Sequence, residues 1–118
     1  MTTEEDNKLI ADFMGLRHVD DDKYMKNLRE MRANGIFFEQ GYMTSELRYY
    51  SDWNWLMTVV DKIEGLNFSV EMNRQEEGDY QCLIVKKEII VQTFSSNKME
   101  SVYQAVVKFI KWYEQNNN

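Results

Sequence analysis

The sequence predicts an α+β fold: a three- or four-stranded, mainly antiparallel sheet, arranged as a meander and covered by three to four helices. Two segments repeat apolar side chains at helical spacing: Trp53, Leu56, Met57, Val60 and Ile63, then Met99, Val102, Tyr103, Val106, Ile110 and Tyr113. Between them lie three strand-like runs, Phe68–Met72, Tyr80–Val85 and Ile89–Phe94, the first of which alternates with period two. The links joining these runs are shorter than the roughly dozen residues a parallel crossover needs, so consecutive strands pair antiparallel.

Each element has its own signals. A first helix is expected over about residues 4–14, with Thr2 or Thr3 as cap, acids in its first turn, Gly15 just past its end, and Leu9, Ile10, Phe13 and Met14 on its buried face. Residues 17–22 show no hydrophobic period and read as an exposed loop. From Lys23 the spacing of Tyr24, Met25, Leu28 and Met31 predicts a second helix closed by Asn34-Gly35. The same Asn-Gly pair suits a hairpin leading into Ile36-Phe37-Phe38, but residues 26–32 contain no β-branched side chain, which favours the helix. Residues 46–50 alternate as a short strand. Ser51 or Asp52 then caps the helix that Gly65 ends. Gln75-Glu76-Glu77-Gly78-Asp79 turns one strand into the next, and Lys86-Lys87-Glu88 joins the following pair. Asn97 caps the last helix, with Glu100 three residues on, and Phe109 and Trp112 widen its apolar face.

The chain of 118 residues is 43% hydrophobic and 29% charged, the size of one domain; residues 1–118 are expected to form it, with 1–3 and 115–118 frayed. No proline and only five glycines leave no flexible linker. The lone Cys82 and the lone His18 exclude a disulfide framework and a zinc site, and neither a metal nor a cofactor is expected. No apolar run reaches the ~20 residues that span a bilayer. Met1-Thr2-Thr3-Glu4-Glu5-Asp6 is not the basic-then-apolar opening of a signal peptide, so a cytoplasmic protein with no membrane partner is expected.

Residues 51–64 (Ser51-Asp52-Trp53-Asn54-Trp55-Leu56-Met57-Thr58-Val59-Val60-Asp61-Lys62-Ile63-Glu64) and residues 99–113 resemble the small phage and prophage proteins grouped as the phage ABA-sandwich domain. Ile10-Ala11-Asp12-Phe13-Met14-Gly15 is similar to the opening helix of those proteins. The resemblance touches about a third of the chain and implies a helix-covered sheet and a phage or prophage origin, hence the cytoplasm of a host cell. That family brings no reaction, cofactor or catalytic residue to carry over. Residues 20–41 depart from its pattern.

Candidate functional residues fall into two groups. Residues 1–22 hold seven acids (Glu4, Glu5, Asp6, Asp12, Asp20, Asp21 and Asp22) against Lys8 and Arg17, whereas residues 23–35 reverse the sign with Lys23, Lys26, Arg29 and Arg32 against Glu30. An acidic face steers a protein toward a basic partner surface, although mutual attraction between acidic and basic segments accounts for the same pattern. The second group is aromatic: Tyr49, Tyr50, Trp53 and Trp55, of which helical spacing cannot bury both tryptophans on one face. Trp53 is read as core and Trp55 as filling the sheet edge or standing exposed.

With no nucleophile motif, metal set or phosphate loop, the leading expectation is a non-enzymatic protein-interaction module. Its partner would be a host or phage protein, and one use of its acidic surface would be to inhibit a host defence protein. Its partner-binding residues are Asp20, Asp21, Asp22, Arg29, Arg32, Tyr49, Tyr50 and Trp55. A second expectation is single-stranded nucleic-acid binding through Tyr49, Tyr50 and Trp55 with Arg29, Arg32 and Arg48 on phosphates, which the net charge of −6 opposes. A third is an enzyme using His18 with Asp20 or Asp22. Cys82, amid apolar strand residues, reads as a small buried hydrophobe, and self-association through an edge strand or through the Phe109 and Trp112 flank is a further expectation.

Overall fold

A computed structural model describes residues 3–20, 23–25, 41–75 and 78–116. Contacts group the chain into two compact units, Met1–Arg48 and Tyr49–Asn118, each with its own antiparallel sheet.

The first unit opens with helix α1 (Thr3–Phe13), whose Glu4, Glu5 and Asp6 sit at its electropositive end. The helix ends in a Schellman motif: Leu16 N–H donates to Ala11 O at 3.0 Å and Gly15 N–H to Asp12 O at 3.1 Å. That motif needs a left-handed residue, and Gly15 adopts φ +84°. Ile10 and Ala11 are buried, and the buried Asn7 amide donates to Leu47 O at 3.3 Å. Strands β1 (Arg17–Asp20), β2 (Lys23–Met25) and β3 (Gly41–Met43) follow as a meander in the order β1-β2-β3. A 3-10 turn (Thr44–Glu46) comes next, in which a Glu46 carboxylate oxygen accepts from Met43 N–H at 3.3 Å.

This unit corrects three expectations. Residues 17–20 are a strand, not a loop, paired Arg17↔Met25 and His18↔Tyr24 with a register shift before Asp20↔Lys23. Residues 23–25 are a strand rather than the start of a helix, while the rest of that expected helix, Asn34-Gly35 and Ile36-Phe37-Phe38 lie outside the described residues. Strands of three or four residues are too short to show a period, so nothing in the hydrophobic pattern announces them. The strand expected over residues 46–50 does not form: Glu46 ends the 3-10 turn, residues 47–50 alternate buried and exposed with Leu47 and Tyr49 buried, and among the described residues they pair in no sheet.

The second unit holds helix α2 (Trp53–Gly65), strands β4 (Ser69–Arg74), β5 (Tyr80–Val85) and β6 (Ile89–Ser95), and helix α3 (Lys98–Asn116). Asp52 is the cap of α2, its carboxylate accepting from Asn54 N–H at 2.8 Å. Gly65 is the last helical residue, but the left-handed residue beyond it is Asn67, at φ +72°, whose N–H donates to Glu64 O. The sheet is the expected meander, order β4-β5-β6, in register Glu71↔Leu83↔Gln92 and Asn73↔Gln81↔Phe94. The α+β class, the antiparallel meander and three α-helices therefore stand; the additional meander of the first unit had no signal in the sequence.

Helix α3 packs on β5 and β6 with α2 beside it. It buries Val102, Tyr103, Ala105, Val106, Val107, Phe109 and Ile110 against Cys82, Ile84 and Val91 of the sheet and Leu56, Val59, Val60 and Ile63 of α2. Phe68 anchors one end of this core, edge-on to Phe109 at 4.9 Å and to Trp112 at 5.9 Å. The Lys86 ammonium lies 4.9 Å from the Phe68 ring centre. Residues 115 and 116, expected to fray, continue α3, where the Asn116 amide donates to Trp112 O at 2.7 Å.

Phe109 fills the centre of this packing with no exposed surface. Phe109→Ala is expected to lower unfolding free energy by about 3–5 kcal/mol, and Asp52→Ala by about 1 kcal/mol, in urea titrations followed by circular dichroism.

Candidate functional site

In the second unit four chain segments converge on a shallow cleft of ≈ 450 Å³: the turn before α2, the first residue of α2, the start of β5, and the link from β6 into α3. Its aromatic wall is Tyr50, Trp53 and Tyr80; its polar rim is Ser96, Asn97, Lys98 and Glu100, with Met99 between them.

Each wall residue is placed by local chemistry. Tyr50 stands edge-on to Tyr103 of α3, centroids 5.0 Å apart and planes at 85°, with 44% of its surface exposed. Trp53 is held at the first turn of α2 by the Asp52 cap. Tyr80 begins β5, flanked across the sheet by Arg74 and Ser95.

The rim is fixed by a hydrogen-bonded cap. The Asn97 side-chain oxygen accepts from Glu100 N–H at 3.0 Å, as the capping pattern predicts. Glu100 does not reach back to the Asn97 amide. Instead Asn97 N–H donates to the Ser95 hydroxyl at 3.2 Å, and that hydroxyl donates to the Glu100 carboxylate at 3.1 Å. The other Glu100 oxygen accepts from the Gln104 amide at 3.2 Å. Both carboxylate oxygens are thus engaged, which suits the group to orienting the rim rather than to accepting a proton from a substrate.

The sequence-derived candidates are scattered. Tyr50 lies in the cleft. Tyr49 is 3% exposed and edge-on to the half-buried Trp55 at 5.1 Å, so its ring braces the turn and offers no face for stacking. Asp20 ends β1 and His18 lies on the same strand, with the register shift between them. Asp21, Asp22, Arg29 and Arg32 lie outside the described residues, and Arg48 is exposed. Among the described residues no three His, Cys, Asp or Glu side chains stand close enough to hold a metal ion, and no helix is long and apolar enough to cross a membrane.

Sequence reasoning missed Tyr80, the 96–100 rim and the role of Trp53, which it assigned to the core. The available signal was positional: aromatic residues at the first position of a helix or strand sit at the end of the packed layer, where one face stays open. Comparison with family models, characterised proteins and solved structures finds no match to this chain.

Cys82 is buried in β5, and burial pushes its thiol up to about 12 from 9.0 by penalising the thiolate. The folded state therefore keeps a proton that the unfolded chain releases above pH 9, and the thiol's stabilising contribution, complete below 9, falls away as pH rises toward 12. The gap in urea midpoint between the wild type and Cys82→Ala is expected to shift against the wild type across that window. A thiol reagent is expected to leave the native protein unmodified at pH 8 and to label it in denaturant.

Proposed function

We propose that the chain is a non-enzymatic protein-interaction module that receives a protruding side chain of a partner protein in the Tyr50–Trp53–Tyr80 cleft. The observation that carries this reading is a partly exposed aromatic wall beside a polar rim in which Asn97 and Glu100 are already fixed by hydrogen bonds. Tyr and Trp in concave, partly desolvated positions are the side chains on which binding energy concentrates. A rim that is preorganised lowers the ordering cost of association.

The partner is expected to present a basic surface. The chain carries −6 overall, and Glu4, Glu5 and Asp12 of α1 are exposed, which accelerates encounter with a positive face. A phage or prophage origin follows from the resemblance of residues 51–64 and 99–113 alone; on that reading the partner is a host or phage protein in the cytoplasm. Inhibition of a host defence protein would use the acidic excess of residues 1–22 where that protein would otherwise accept nucleic acid.

Tyr50→Ala removes one edge-to-face contact and leaves the buried core intact, so circular dichroism is expected to be unchanged. A saturable complex with a host or phage protein, measured by calorimetry, is expected to weaken about tenfold or more in this variant. Binding indifferent to Tyr50→Ala would sink the proposal. So would quenching of tryptophan fluorescence by single-stranded oligonucleotides that falls steeply with salt, since that behaviour belongs to nucleic-acid recognition.

A further inference from the structure

The two edges of the β4-β5-β6 sheet are built differently. Strand β4 carries Glu71 and Arg74, the charged side chains that ordinarily keep an edge from pairing with a foreign strand. Strand β6, Ile89-Ile90-Val91-Gln92-Thr93-Phe94-Ser95, is seven residues long with no charge and no proline. Its inner edge is paired with β5, regularly from Val91 to Ser95 and with a register shift at Ile90, between Ile84↔Val91 and Val85↔Ile89; among the described residues no strand lies beyond its outer edge, and its Ile89 and Phe94 are 55% and 54% exposed. Beyond the bulge, the uncharged run Val91–Ser95 presents a row of backbone donors and acceptors with no charged side chain to keep another strand away.

We propose that this edge pairs with the β6 strand of a second copy of the chain, antiparallel across a two-fold axis at Gln92, joining two three-stranded sheets into one of six. The strand is complementary to itself in that register. Gln92 faces Gln92 of the second copy and Val91 faces Thr93 on either side, so the central pairs are uncharged and β-branched pairs flank the axis, while the bulge at Ile90 ends the regular pairing. Charge selects the edge. Two copies each carrying −6 repel, and an uncharged β6 brings backbones together without adding like charges at the contact, whereas β4 paired about its own centre would bring two copies of Glu71 near the axis. A two-fold pairing also closes this sheet, because each copy spends the uncharged edge of its β4-β5-β6 sheet and the charged β4 edges remain outside.

The test is oligomeric state by sedimentation equilibrium. The wild type is expected at twice the 14.2 kDa chain mass at high concentration, dissociating on dilution. Gln92 is exposed, so Gln92→Lys leaves the core untouched while setting two ammonium groups across the axis. It is expected to raise the dimer dissociation constant about tenfold or more. Glu71→Lys on the opposite edge is expected to leave the dimer unchanged. In a Gln92→Cys variant the new thiols meet at the axis and are expected to cross-link under mild oxidation; Cys82 is buried and does not compete. A single 14.2 kDa species at every soluble concentration overturns the proposal, as does a dimer insensitive to Gln92→Lys or one that Glu71→Lys dissolves. Partner binding through the Tyr50 cleft is read separately, by Tyr50→Ala, and neither result decides the other.

Discussion

Helix α3 has to be hidden on more than one side, and the second unit is organised around that requirement. Seven apolar side chains from Val102 to Ile110 are buried, too wide an arc for a sheet alone to cover. Cys82, Ile84 and Val91 take the sheet side and Leu56, Val59, Val60 and Ile63 of α2 take the flank. Burial of each large side chain contributes about 1.5–3 kcal/mol, provided the polar groups drawn in with them are satisfied. Thr93 and Ser101 meet that condition together: the Thr93 hydroxyl donates to Ser101 O at 2.6 Å and the Ser101 hydroxyl to Lys98 O at 2.7 Å. Either group left unpaired would cost about 1–3 kcal/mol, so this pair fixes the angle at which the helix returns over the strand it has just left.

What was legible in the sequence follows from the same packing. A helix or strand whose partner is a broad apolar surface repeats its hydrophobic residues at the period of its own geometry, as α2, α3 and β4 do, while β5 and β6 are legible as short runs rich in apolar and β-branched residues. Strands β1, β2 and β3 have three or four residues each, too few to display a period, so in the sequence residues 17–20 resemble a loop and residues 23–25 resemble the first turn of a helix. The alternation at 47–50 shows the converse case. It records burial of Leu47 and Tyr49, and burial without a pairing strand yields a turn.

The cleft is a by-product of where packed elements begin. Trp53 and Tyr80 are the first residues of a helix and a strand and Tyr50 lies in the turn before that helix, so the first two are half-buried and the third exposed. Adjacent residues can therefore differ in kind: Tyr49 is sealed against Trp55 while Tyr50, leaning on Tyr103, opens into the cleft. Such a site is hard to read from composition, because the same residue types one position away are structural. The Ser95, Asn97 and Glu100 bonds that make the rim rigid are also those that begin α3, so stability of the helix and shape of the site rest on one set of contacts.

That coupling bears on the open edge as well. Only Ser96 and Asn97 separate β6 from α3, and the helix runs straight back over β5 and β6, covering one face of the sheet while leaving its margin bare. A longer connection would let a loop drape over β6 and occupy its outer backbone groups; the tight cap forbids this. Beyond the bulge at Ile90 a charged side chain is a further means of protecting such an edge, and a single lysine or glutamate at Gln92 or Phe94, both exposed, would do so without disturbing the core. Neither position carries a charge in a chain where 29% of residues do, while the far strand of the same sheet carries two. This uncharged stretch of β6 is the feature that the proposed pairing of two copies uses.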